Sequence, residues 1–145
     1  MPDFLVPLFV WGIIQFIKLI IDFTMKGVFE RKALWSAGGF PSVHSGMAAS
    51  ITTLMYLQYG HESAAFIIAF CFSFLFWYDA ANVRYEAGQH ASYLNKLSVE
   101  LGEILNMQKT THMLKERLGH TFIEVVGGIG VGVWLTFVYF ILSNI

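Results

Sequence analysis

Apolar residues gather in four long runs, at about residues 4–25, 43–59, 63–83 and 121–143, and polar residues gather between them. A helix that spans a bilayer needs ~20 predominantly apolar residues. The pattern therefore predicts an all-α fold, a polytopic bundle of about four transmembrane helices. Residues 91–118 read differently. Leu94, Leu97, Leu101, Ile104 and Leu105 recur there at helical spacing among polar residues. That spacing predicts a cytoplasmic amphipathic helix or helix pair, lying on the membrane surface or over a site. The whole chain, residues 1–145, is expected to form a single integral membrane domain.

Punctuation supports these bounds. The first run starts after Pro2, lacks a basic segment ahead of it and shows no small-x-small cleavage pattern, so a retained helix is expected rather than a leader. Gly38-Gly39 and Pro41 break the polar link, and Ser42 is a good N-cap for a second helix. Gly60 ends that helix, and Gly119 precedes the last. Small residues mark two helices: Ser45, Gly46, Ala48, Ala49 and Ser50 on the second, Gly128 and Gly132 on the last. They suit close helix packing, within the bundle or between protomers, so a homo-oligomer is one expectation.

Charge gives the bundle a direction. All nine Lys and Arg residues lie near the end of the first run, in the link to the second, or from Arg84 to Arg117; the turn between the second and third carries only His61 and Glu62. A Lys/Arg bias marks the cytoplasmic side. Both termini are then expected on the opposite side. The chain is 56% hydrophobic and only 13% charged, with a mean hydropathy of +0.59, which suits lipid surroundings. Its net charge of −1 gives no basis for nucleic-acid binding. The single cysteine, Cys71, allows no disulfide within the chain.

Three polar clusters fall on the basic side. In Gly38-Gly39-Phe40-Pro41-Ser42-Val43-His44-Ser45, a glycine-rich turn enters a helix N-terminus, where unpaired N–H groups and the helix dipole favour an anion. A plain capped turn has the same appearance. In Asp79-Ala80-Ala81-Asn82-Val83-Arg84, Arg84 suits bidentate phosphate recognition or interfacial anchoring, and Asp79 can orient Arg84 or Lys18. In His120-Thr121-Phe122-Ile123-Glu124, the i,i+4 spacing puts His120 and Glu124 on one helix face. A carboxylate that steadies one imidazole nitrogen leaves the other free to attack, although a structural hydrogen bond needs only the same pair. Lys18, four residues from Asp22, faces either the bundle interior or the interface.

Taken jointly, these clusters, with Gly88-Gln89 and Leu118-Gly119, resemble the divergent branch of the type 2 phosphatidic acid phosphatases, whose superfamily also includes bacterial acid phosphatases and vanadium haloperoxidases. The resemblance runs in order from about Gln15 to Gly127. It implies that Ser42 and nearby backbone N–H groups, Gly39 included, hold phosphate, that His44 is the general acid, that His120 attacks phosphorus and that Glu124 orients it. Lys18, Arg31 or Lys32, and Arg84 stand for the family's basic phosphate ligands. The chain departs from the wider pattern at Val43, where a glycine is usual, in having no Pro after Arg31 or Lys32, and in the long segment between Arg84 and His120.

The expected function is a metal-independent, cofactor-free phosphatase that hydrolyses a lipid-linked phosphate monoester or diphosphate through a phosphohistidine at the cytoplasmic face. Its partners are a phospholipid or isoprenyl phosphate substrate and membrane lipids. The alternatives are a non-catalytic membrane protein that binds or transports a phosphate-bearing lipid, and a metal site built from His44, His120, Asp79 and Glu124. Neighbouring cations disfavour the metal. The charge bias is directly testable. In a chain lacking Cys71, Lys109→Cys should be shielded from an impermeant thiol reagent in intact cells, whereas His61→Cys should react; the reverse pattern would overturn the orientation.

Overall fold

Helix boundaries in this protein are set by side chains that complete the open backbone ends. The computed structural model describes residues 3–27, 39–104, 113–116 and 118–144. A short 3₁₀ turn (Asp3–Leu5) leads into α1 (Val6–Lys26); α2 (Val43–Tyr59), α3 (Ala64–Tyr78), a π turn (Asp79–Val83), α4 (Arg84–Ile104) and α5 (Phe122–Ser143) follow. Ser42, Ser63 and Thr121 cap α2, α3 and α5, each accepting from the N–H three residues on. Gly27 closes α1 in the left-handed conformation that glycine adopts at least cost.

α2 is the axle of the bundle, packed against α1, α3 and α5. α1 runs antiparallel to it: Gln58 donates to Asp3 at one end, and the Lys18 stem approaches Gly39 at the other. α5 runs parallel to α2, because successive residues match in the same direction. Gly128 lies against Ser42 and Ser45, Gly132 lies against the Gly46 backbone, and Thr136 Oγ1 donates to Ser50 Oγ at 2.8 Å. Val10, Ile14 and Val43 form the buried apolar centre, with Val131 and Leu135 packed on it. α3 meets α2 through polar contacts: Thr52 and Ser73 share a hydrogen bond of 2.8 Å, and Trp77 Nε1 donates to Ser45 O at 3.3 Å.

Among the described residues, three helices are long and apolar enough to cross a bilayer: Asp3–Met25, Ala64–Gly102 and Phe122–Ser143. α2, expected as a fourth span, has 17 residues and a more polar surface. Its Ser50, Thr52 and Thr53 are satisfied by neighbouring helices or its own backbone, so it sits enclosed by the three apolar helices. The third span and the polar segment after it are one helix of 39 residues, about 58 Å at 1.5 Å per residue. That exceeds the ~30 Å hydrocarbon core, so α4 projects beyond it. Of the helix or helix pair expected over 91–118, α4 accounts for the described residues up to Ile104, whereas residues 113–116 and 118 have no regular structure and Leu114 is bonded back to α4. The Leu114 N–H and C=O are both met by the Asn95 amide of α4, and the Leu118 N–H donates to Glu116 O. The Gly128/Gly132 face is used inside the bundle, against α2.

The α2–α5 contact can be tested on one helix. A side chain at Gly132 would collide with the Gly46 backbone, whereas at Gly130 it meets nothing within 4 Å. Gly132→Ala is expected to destabilise by about 1–3 kcal/mol, the usual cost of overpacking. Gly130→Ala should be neutral or slightly stabilising. Thermal unfolding midpoints in detergent separate the two, and equal losses would contradict this packing.

Candidate active site at the junction of α2 and α5

The site begins where the chain enters α2. Gly39 sits at φ +101°, a region that disfavours a side chain, and the Lys18 Cε lies 3.5 Å from where a Cβ would project. This close approach puts a mostly buried lysine beside the glycine turn. Ser42 is fully buried; its N–H donates to Glu124 O at 2.9 Å, and its Oγ accepts from the Ser45 hydroxyl at 2.9 Å. Ser42 thus caps α2 and ties the α2 entrance to the first turn of α5. His44, in the first turn of α2, is exposed.

The same tie brings His44 near the entrance of α5. Thr121 and Glu124 form a reciprocal capping box, in which Thr121 Oγ1 accepts from Glu124 N–H and Glu124 Oε2 accepts from Thr121 N–H at 3.0 Å. Glu124 Oε2 also lies 3.1 Å from His120 Nδ1. One carboxylate therefore fixes both the helix start and the imidazole. A proton on Nδ1 directed at this carboxylate leaves Nε2 as the unprotonated nitrogen. His120 is 6% exposed, and its backbone N–H donates to Ala80 O at 3.0 Å. Burial holds the His120 imidazole below its ordinary pKa; the Glu124 hydrogen bond and charge oppose this, while the Lys18 and His44 charges add to it. These four groups are thus electrically one cluster.

Lys18, Gly39, Ser42, His44, His120 and Glu124 therefore converge. Arg84 is paired with Asp79: its Nε donates to Asp79 Oδ2 at 2.6 Å, and its side chain is 67% exposed. Of the two partners considered for Asp79, the structure pairs it with Arg84. Arg31 and Lys32 lie outside the described residues. Among the described residues, no three His, Cys, Asp or Glu side chains gather as a metal-holding group.

The π turn contributes geometry that the motifs did not suggest. Its wider winding departs from the regular i→i+4 ladder, and such turns recur at functional sites. Here the Arg84 N–H reaches back to Asp79 O, and Ala80 O receives the His120 N–H. Gly119, at φ +77°, lets the chain pass against Ala80, Arg84 and Tyr85. Asn95 also escaped sequence reasoning. Its signal was faint: an amide on α4 in register with Gly88 and Ala91, which are buried with it.

Comparison with known proteins bears on the family of the chain. Residues 2–135 match the model of the Divergent PAP2 family. The chain is also 33% identical over 133 residues to the uncharacterized membrane protein YuiD of Bacillus subtilis (strain 168), covering 86% of this chain and 84% of that one. No solved structure matches it significantly. An all-helical chain with bilayer-length apolar helices, matched to the family model over nearly its whole length, belongs to the divergent PAP2 family of membrane proteins.

Proposed function

We propose that the protein is a metal-independent phosphatase acting on a lipid-linked phosphate monoester or diphosphate, with its site at the cytoplasmic face. The observation that carries this reading is the buried His120 imidazole held through Nδ1 by Glu124, with Lys18 and His44 close enough to act on its charge. A buried imidazole kept neutral, with one nitrogen steadied, has the properties of a nucleophile. A lysine and the N-terminal end of α2 supply positive potential for phosphate oxygens. The orientation rests on the one-sided placement of the nine basic residues.

In this mechanism His120 Nε2 attacks phosphorus as the bond to the leaving oxygen breaks. Protonated His44 gives its proton to that oxygen, releasing the lipid alcohol from a monoester or the lipid monophosphate from a diphosphate. The phosphoryl group then resides on His120, and the imidazolium character is stabilised by Glu124. Neutral His44 next takes a proton from water as the water oxygen attacks phosphorus and the P–N bond breaks. Phosphate leaves, and both histidines return to their starting states. Substrates with an apolar tail suit the surroundings. An open groove of about 260 Å³ lies along α2, lined by Ala49, Thr53, Tyr56, Phe66, Phe70 and Trp77 among others. Its Trp77 is bonded to the first turn of α2, close to Ser42 and His44.

Purified protein in liposomes, given phosphatidate, phosphatidylglycerophosphate and isoprenyl mono- and diphosphates, should release phosphate from at least one. Vanadate should inhibit, as a mimic of the trigonal-bipyramidal transition state. EDTA should not. His120→Ala should abolish turnover and the acid-labile, base-stable phosphate trapped by rapid quench, with helix content intact. Glu124→Gln should lower kcat by between about 10²- and 10⁴-fold. Activity abolished by chelation and restored by a divalent ion would replace this mechanism with a metal-dependent one. Lipid binding without any phosphate release would replace it with a binding or transport role.

The pH dependence follows from the burial of His120. Its pKa is lowered from 6.5, and the nucleophile must be neutral, so activity is lost as pH falls through the lowered value. The His120 ring resonance, identified by its loss in His120→Ala, should titrate below 6.5, and the acid limb of kcat/KM governed by the enzyme should lie with it. Glu124 raises the value, so Glu124→Gln should move the His120 titration further toward acid. A His120 titration at or above 6.5 in the native protein would contradict the buried, neutral imidazole.

A further inference from the structure

Among the described residues, the segment that delivers His120 to the site makes polar and backbone contacts to one side of the π turn and α4. Residues 113–116 and 118–120 form a strap that returns along this helix. Its apolar side chains give little anchorage: Met113 is 64% exposed, Leu114 50% and Leu118 39%. The anchorage comes from Asn95, which is 7% exposed. Its Oδ1 accepts the Leu114 N–H at 2.9 Å, and its Nδ2 donates to Leu114 O at 2.9 Å and to Glu116 Oε1 at 2.8 Å. The amide thus pairs with the strap as a neighbouring strand would, with both donor hydrogens and the acceptor engaged. Hydrogen bonds from Asn95 and Ser92 keep the exposed Glu116 carboxyl below its ordinary pKa, so it remains an acceptor.

Two glycines continue the attachment. A Cβ on Gly88 would stand 2.5 Å from Glu116 O and 3.3 Å from Leu118 N. One on Gly119 would stand 2.6 Å from Tyr85 N. The last tie is the His120 N–H on Ala80 O. Asn95, Gly88, the Arg84–Tyr85 backbone and Ala80 form one line down the helix, and the strap follows it to the imidazole.

We propose that Asn95 is a positioning residue for His120: by locking the strap to α4 it holds the imidazole buried and aimed at the site. The kinetic consequence rests on the phosphatase reading above; the positional one does not. A displacement of about 1 Å at a reacting group can cost on the order of 10²-fold in rate. Loss of the amide removes the hydrogen bonds that tie Leu114 and Glu116 to Asn95 on α4.

The test uses the full chain in liposomes and diethyl pyrocarbonate, which modifies accessible neutral imidazoles. In the native protein His44, His61 and His90, all exposed, should be modified while His120 is protected, as mapped by mass spectrometry. In Asn95→Ala, with helix content unchanged, His120 should be modified at a rate approaching that of His90. On an active substrate, kcat should fall by about 10²-fold with KM within about twofold, and the His120 titration should move up toward 6.5. Gln89→Ala, exposed on the same helix, should change none of these. If Asn95→Ala fails to fold, Gly88→Ala lifts the strap at a second tie and should expose His120 in the same way. A folded Asn95→Ala or Gly88→Ala in which His120 stays protected overturns the proposal. Exposure of His120 in a protein that hydrolyses no lipid phosphate leaves the positioning role intact and overturns only the phosphatase reading.

Discussion

The parallel contact between α2 and α5 is the constraint on which the site depends. Gly46, Gly128 and Gly132 remove the side chains that would hold the two backbones apart. Small residues take this role in membrane helices because lipid chains are as apolar as leucine, so association rests on close packing rather than on water release. The hydrogen bond from Thr136 to Ser50 adds to the contact, but such bonds between membrane helices contribute only about 0.6 kcal/mol on average. Close approach of the backbones is therefore the larger effect. Because the helices run parallel, their N-termini lie side by side, and the Ser42 N–H can reach Glu124 O.

That juxtaposition makes one cluster from two ordinary helix starts. Ser42 caps α2, Thr121 caps α5, and each cap alone would be a local stabilising feature. Glu124 links them to chemistry, since it closes the α5 capping box and also holds His120 Nδ1. The arrangement is economical in conformational terms. A carboxylate already fixed by the helix start loses little further freedom in orienting the imidazole. α1 completes the cluster by bringing Lys18 alongside Gly39 on its antiparallel path. The π turn and α4 then support His120 from the remaining side, through Ala80 and the strap.

Much of this was legible in the chain. Hydropathy located the helices within a few residues, because in a bilayer the length and polarity of a segment are tightly constrained. The spacing of His120 and Glu124 anticipated their contact, although His120 precedes the Thr121 cap of α5 and meets the carboxylate through the capping box rather than along a shared helix face. Ser42 was recognised as a cap for the same local reason. Other features were not local. α2 reads as a fourth span, but its short length and polar residues make sense only beside partners such as Ser73 and Thr136. The stretch expected as a helix or helix pair up to residue 118 carries apolar residues at helical spacing, yet 113–116 have no regular structure, and Asn95 of α4 takes the Leu114 N–H and C=O. Arg84 looked like a phosphate ligand by type and motif, and Asp79, five residues before it, takes its guanidinium across the π turn.

The sequence by itself determined the family, the helical class and the residue types able to handle a phosphoryl group, because these depend on composition, short-range spacing and ordered motifs. Tertiary structure alone decided which of those residues meet. The parallel sense of α2 and α5, the approach of Lys18 to Gly39 and the attachment of the strap at Asn95 all join positions distant in the chain. Their contacts depend on which small residues let which backbones approach, and no periodicity within a single segment records that.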